Sequence, residues 1–216
     1  MLSCATPCPR DIKVGSIQFD HATTEFIPTS TNFKVLTFTN DKGEILTFTT
    51  TASSVVTPTK IPVKVLCQKG DFIDKTSQIE YLDASAVNLW YATVPERYTL
   101  TVDIVIDGFF PNTGVSDTAF IEKVTVWGQR ITTPSKVGGM SIVTSTRSND
   151  QHPEIKKILN QPKEYAIIKD TTILNRSMQN VYYNPASHNG MTLYVTKENG
   201  IEAFSTDDNE IWVRKK

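Results

Sequence analysis

Hydrophobic and polar residues alternate with a period of two along much of the chain. The clearest stretch sets Tyr98, Leu100, Val102, Ile104 and Ile106 against Arg97, Thr99, Thr101, Asp103 and Asp107. Successive side chains of a strand point to opposite faces, so this stretch predicts a half-buried antiparallel strand of about ten residues. Ile61, Val63, Val65 and Cys67 predict another, with Cys67 on its buried face. Val87, Leu89 and Tyr91 predict a third, and Val124 and Val126, within the run from Ala119 to Trp127, a fourth. The many threonines suit a pleated, half-buried surface.

Leu36-Thr37-Phe38-Thr39 recurs as Leu46-Thr47-Phe48-Thr49. If Leu36, Phe38, Leu46 and Phe48 share a buried face, Phe38 opposes Leu46 and Asn40 opposes Glu44. The turn is then Asp41-Lys42-Gly43, with the glycine at a left-handed bulge position. The C-terminus predicts a meander. Leu193 to Thr196 is one strand, Asn199-Gly200 a two-residue turn, Ile201 to Phe204 the return, and Ile211-Trp212-Val213 a third strand after Asp207-Asp208-Asn209. One short helix is predicted. It opens at Asp150 or His152, carries Pro153 in its first turn and ends near Leu159. The fold class expected is all-β: an antiparallel β-sandwich with a C-terminal β-meander and one short helix.

Residues 133–152 hold Thr133-Pro134, Gly138-Gly139 and a polar run to Asp150, a composition typical of linkers. One division makes 1–10 a tether, 11–132 a sandwich domain, 133–152 a linker and 153–216 a small β-meander unit. The other makes the linker two long loops inside one domain.

Composition narrows the chemistry. The chain has 216 residues and a formal net charge of −1. Its charges are interleaved, which argues against a nucleic-acid partner. No run approaches the ~18–20 apolar residues of a spanning helix. There are three cysteines, Cys4, Cys8 and Cys67. Leu2 and Ser3 ahead of Cys4 read as the last positions of a bacterial lipobox. Lipidation of Cys4 would leave Cys8 and Cys67 to form a disulfide, as an odd count in an exported protein asks. Three free thiols, or a metal pair of Cys4 and Cys8, are the alternatives. His21, His152 and His188 lie apart in polar contexts, and zinc normally takes four ligands, so no metal or other cofactor is expected.

The ending Val181-Tyr182-Tyr183-Asn184-Pro185, then Gly200-Ile201-Glu202-Ala203-Phe204, then Glu210-Ile211-Trp212-Val213 resembles the close of short exported lipoproteins of Bacteroidetes-type bacteria. The near-terminal cysteines and the run from Lys34 to Glu44 are compatible with it. The resemblance covers about the first 50 and last 35 residues. It implies an exported β protein held at the outer membrane by an N-terminal acyl anchor, in the periplasm or at the cell surface. It implies no activity.

No nucleophile elbow, phosphate loop or dinucleotide glycine pattern is present. Asp103 and Asp107 share a strand face with Cα atoms roughly 13 Å apart, which suits solvated carboxylates better than a glycosidase pair. The acidic turn Thr206–Glu210 has oxygens for calcium, but such residues favour turns on backbone grounds alone. Aromatic residues give the best binding signal. Trp90 alternates with Val87, Leu89 and Tyr91, and Trp127 with Val124 and Val126, so both face away from the core-type residues. Trp90, Trp127 and Tyr182 are therefore the candidate ligand contacts, unless a second layer covers them. The expected function is a tethered, non-enzymatic module for a glycan, peptide or protein. A fimbrial or adhesin-type subunit and a hydrolase with an unrecognised carboxylate site are the alternatives.

Overall fold

The computed structural model describes residues 8–28, 33–69, 76–109, 119–131, 136–147, 152–185 and 190–215. The protein is all-β. Its strands are β1 Ile12–Ile17, β2 Val35–Thr39, β3 Ile45–Thr49, β4 Val56–Lys69, β5 Thr76–Thr93, β6 Tyr98–Phe109, β7 Ala119–Arg130, β8 Lys136–Arg147, β9 Ala166–Ile173, β10 Arg176–Tyr183, β11 Thr192–Thr196, β12 Gly200–Ser205 and β13 Ile211–Arg214. Among the described residues two short helices accompany them, α1 His21–Thr24 and α2 Pro153–Leu159. The strands form one continuous sheet in the order β8-β7-β6-β5-β3-β2-β13-β12-β11-β10-β9, with β1 and β4 added along β5. All pairings are antiparallel except β1 with β5.

The sheet curls so that its two arms share a core. Leu89, Tyr91, Leu100, Val126 and Met140 from one arm pack with Phe38, Phe48, Leu193, Ile201 and Phe204 from the other. Phe204 lies at its centre, with ring centroids 5.2 Å from Phe38, 5.9 Å from Phe48 and 6.3 Å from Trp212. Burying each such side chain stabilises the fold by about 1.5–3 kcal/mol. The C-terminal meander joins the same sheet through β13, whose Val213 pairs with Thr39 of β2.

β5 runs for 18 residues, roughly 60 Å if straight. Its second half serves the main core. Its first half, flanked by β1 and β4, encloses a smaller cluster with Ile17, Ile61, Val63, Leu82, Ile106 and Phe120. The sulfurs of Cys8 and Cys67 stand at disulfide distance there, with Cα atoms 5.9 Å apart. Cys4 lies outside the described residues.

The β2–β3 hairpin has the expected register, Phe38 opposite Leu46. Asn40 and Glu44 close its turn by backbone and side-chain hydrogen bonds, and Gly43 adopts φ +78°. That conformation is open to glycine because it lacks a Cβ.

Four expectations are corrected. The stretch 133–152 contains β8, fully paired with β7, where a linker or loops were expected. Gly138-Gly139 imitates a turn signal, but both glycines are needed for close packing. A Cβ on Gly138 would fall 1.8 Å from the Met191 carbonyl oxygen, and one on Gly139 would fall 2.2 Å from the Trp127 ring. In β4, Val65 is 42% exposed, because register shifts at Pro62/Lys64 and Val65/Cys67 break the alternation. The β11–β12 turn has three residues, Lys197-Glu198-Asn199, with Gly200 at φ +70° in the closing pair with Thr196. A second helix, α1, is present. Asp20 is its N-cap residue, and its side chain accepts from the first helical amide, His21 N, at 2.6 Å.

α1 is held down by a buried charge. Glu122 on β7 is 0% exposed. Its carboxylate accepts from Asp20 N at 2.9 Å and contacts the Arg147 guanidinium. Asp20 also accepts from Ser145 Oγ at 2.8 Å, which, with the His21 amide, holds its carboxyl below the usual range. Thr23 and Thr144 hydroxyls meet at 2.7 Å.

Candidate functional site

The outer face of β5–β8 is built from the residues that alternate with the core set. Registers align it in transverse rows. Trp90 of β5 pairs with Thr101 of β6, Thr101 with Trp127 of β7, and Trp127 with Gly139 of β8. Paired residues point to the same side of a sheet, so the two tryptophans share one row, two strands apart. At the usual strand spacing their backbones are about 10 Å apart. Both are open to solvent, Trp90 46% and Trp127 42% exposed. Among the described residues no second layer covers them.

Gly139 shapes this row. The Trp127 indole lies over the glycine, in the space a Cβ would fill. The ring thus packs closely on the β8 backbone and is still 42% exposed. On the inner side of the same strands, Gly128 and Gly138 leave room for Leu193 and Met191.

The next row, about 7 Å along the strands, is polar. Asn88, Asp103, Thr125 and Ser141 align there by the same registers. Asn88 Nδ2 donates to Asp103 Oδ1 at 2.7 Å, and the Thr125 and Ser141 hydroxyls meet at 3.2 Å. Burial raises the Asp103 carboxyl above its usual range, with the Asn88 hydrogen bond opposing. On the other side of the tryptophans lie Ala92, Thr99, Gln129 and Val137, the last exposed. Farther along, Lys123 pairs with Asp107. Beyond that, α2 covers Ala119 and Ile121 with Ile155 and Ile158.

The structure therefore brings Trp90 and Trp127 together and leaves Tyr182 apart. Tyr182 stands on β10, its ring 5.5 Å from Phe26 and 5.7 Å from Tyr165, at the margin of the main core. Burial pushes its hydroxyl up. Asp103 and Asp107 each have their own partner, Asn88 and Lys123. The acidic turn after β12 holds Arg130, whose Nη1 lies 3.2 Å from Asp207 and 2.5 Å from Asp208. Of the histidines, His21 opens α1 and His152 precedes α2, while His188 lies outside the described residues. Among the described residues no group of three or more His, Cys, Asp or Glu side chains is placed to hold a metal ion. Among them, too, no helix is long and apolar enough to cross a membrane.

Thr101, Asn88, Thr125 and Ser141 were not singled out from the sequence as site residues, Asp103 was weighed only as half of a carboxylate pair, and Gly139 was read only as a linker residue. Their alignment with the tryptophans depends on strand register, and period-two alternation sets the face of each residue but not its row.

Chemically, this face can stack a flat C–H surface on two indoles and hydrogen-bond the rim of the same ligand through amide, carboxylate and hydroxyl groups. Comparison with protein-family models, curated proteins and solved structures found no match for the chain.

Proposed function

We propose that this protein is a non-enzymatic binding module that takes a linear glycan across the outer face of β5–β8. The observation that carries this reading is the shared row of Trp90 and Trp127 with the polar row beside it. Pyranose rings present apolar C–H faces and polar edges. A β-linked chain laid along the row sets alternate rings over the two indoles, while its hydroxyls reach Asn88, Asp103, Thr125 and Ser141. The preference for a glycan over a protein partner rests on that polar row, because protein-binding patches concentrate apolar side chains at their centre.

We also propose that the module works outside the cytoplasm, in the periplasm or at the cell surface, tied to the outer membrane by acyl chains on Cys4. Support comes from the Cys8–Cys67 pair, since disulfides persist in oxidising compartments, and from the lipoprotein-like sequence ends.

Affinity electrophoresis tests the glycan reading. In gels containing soluble mixed-linkage β-glucan, xylan or glucomannan, the protein should be retarded by at least one. Trp90→Ala and Trp127→Ala should each remove most of that retardation while keeping the wild-type circular dichroism. Equal mobility of wild type and both variants in all three gels defeats the proposal. The anchor is tested by mass spectrometry after expression with a leader in a bacterial host: a Cys4 without acyl mass rules it out.

A further inference from the structure

The tip of the β11–β12 hairpin separates two adjoining hollows on the other arm of the sheet, away from the tryptophans. The larger is a cleft of about 750 Å³, bordered by Arg176–Asn180 of β10 and by residues 196–199 and 202. The smaller is a cavity of about 150 Å³ lined by Phe26, Phe33, Leu36, Val102, Ile201 and Arg214. Glu198 and Asn199 border both.

Three features set this region apart from ordinary sheet. First, β10 pairs with β11 only at Tyr182 and Tyr183, so Arg176–Asn180 overhang the end of β11. Second, Asn180, on the rim, has φ +50°, a left-handed conformation unusual within a strand. Third, the β11–β12 register shifts between Tyr194 and Val195, leaving Glu202 as the extra residue of a β-bulge. Bulges re-aim side chains and are common beside functional sites. Here the bulge lets Ile201 and Phe204 both enter the core and leaves Glu202 on the cleft wall, 2% exposed.

The charges are unequal around that carboxylate. Arg176 reaches across the gap, contacting Glu202 with one guanidinium nitrogen and donating to the Arg214 carbonyl with the other. Arg214 also feels Glu202, and burial pulls its pKa down despite it. The Arg214 guanidinium donates to the Asn199 carbonyl. Among the described residues it makes no ion pair. One carboxylate thus serves two guanidiniums in a half-buried setting, which leaves Arg214, on the wall of the small cavity, without a counter-ion of its own. Lys197 on the rim is matched by Glu25 at 2.6 Å, and Glu198 is solvent-exposed.

We propose that these hollows form a second binding site, for a small organic carboxylate whose apolar substituent fills the Phe26–Phe33–Ile201 cavity while its carboxylate meets Arg214. A cavity of about 150 Å³ is large enough for a benzene-sized group. A planar guanidinium with free donors binds carboxylates by paired hydrogen bonds. Arg176, engaged by Glu202 and by the Arg214 carbonyl, ties β10 to β12 and β13 across the cleft.

The test uses 4-phenylbutyrate as probe, with 4-phenylbutanol and 4-phenylbutylamine as neutral and cationic counterparts. Calorimetry on the whole protein should show saturable binding of the carboxylate, about tenfold tighter than the alcohol, with the amine weakest. Amide shifts in the 15N spectrum should cluster at residues 198–201 and 214. Arg214→Gln should bring carboxylate and alcohol to equal affinity, and Arg214→Lys should fall between. Because the three-probe comparison is made on wild type, it stands even if a variant fails to fold. Absence of saturable carboxylate binding, equal affinity for the alcohol, tighter binding of the amine, or shifts centred on the tryptophan row would each overturn the proposal.

Discussion

Gly138 and Gly139 are neighbours on β8, yet they serve opposite faces of the same sheet. Gly138 faces inward, where the Met191 backbone occupies the space of its missing Cβ. Gly139 faces outward, where the Trp127 ring does the same. Inside, the gap lets the two arms of the sheet close on a shared core. Outside, it lets an indole pack closely on the strands while part of it stays open to solvent. The two faces are built from alternating residues of the same strands, so packing for stability and presentation for binding are separated by a single step along the chain. An inner-face change should alter stability and spare the outer surface, and an outer-face change should do the reverse.

Four substitutions bear on that separation. Leu100→Ala on the inner face removes a fully buried side chain and should lower the unfolding free energy by about 4 kcal/mol in urea titration. Thr101→Ala, next to it on the outer face, should change it by less than about 0.5 kcal/mol. Similar losses at both positions would break the comparison. Gly138→Ala presses a methyl against a backbone carbonyl that cannot rotate away, and should destabilise by about 3 kcal/mol, the upper end for overpacking. Gly139→Ala meets a side chain that can lift, so thermal melting should shift little, by about 1 kcal/mol or less. Its mark should appear in binding: with the indole raised, glycan retardation should fall toward that of Trp127→Ala.

The smallest effect concerns Asp103. Its folded carboxyl titrates above the usual range because burial disfavours the charged form. The folded state therefore holds the proton more tightly than the unfolded chain does. This group is neutral to stability below both pKa values, becomes destabilising as pH rises through the window between them, and stays so above it. Asp103→Asn should flatten the stability–pH curve in that acidic window. A variant curve parallel to wild type would place the carboxylate in water, outside the packed polar row.

Several elements were legible in the sequence because local pattern and tertiary need agreed. The β2–β3 hairpin is the clearest. Its duplicated apolar pairs and Gly43 specify register and turn together, and Phe38 does face Leu46. β6 and α2 also lie where alternation and Pro153 place them. The outward face of Trp90 and Trp127 followed from parity alone. β8 was hidden because its glycines read as turn residues, while the reason for them sits on Met191 and Trp127, distant in sequence. Glu202 was hidden for a related reason. A bulge breaks the period of two, and its position depends on the partner strand. The carboxylate of Glu122 gave no signal either, since its partners Asp20 and Arg147 come from separate segments.

The Cys8–Cys67 pair has a mechanical consequence. Once oxidised, the bridge encloses residues 9–66 in a covalent loop. A pull applied ahead of Cys8 then passes through the sulfurs directly into the end of β4, and tension bypasses β1, α1, β2 and β3. A molecule strained between a fixed front end and a held ligand would carry the load from Cys67 into β5, leaving the enclosed quarter of the chain, most of β4 included, slack.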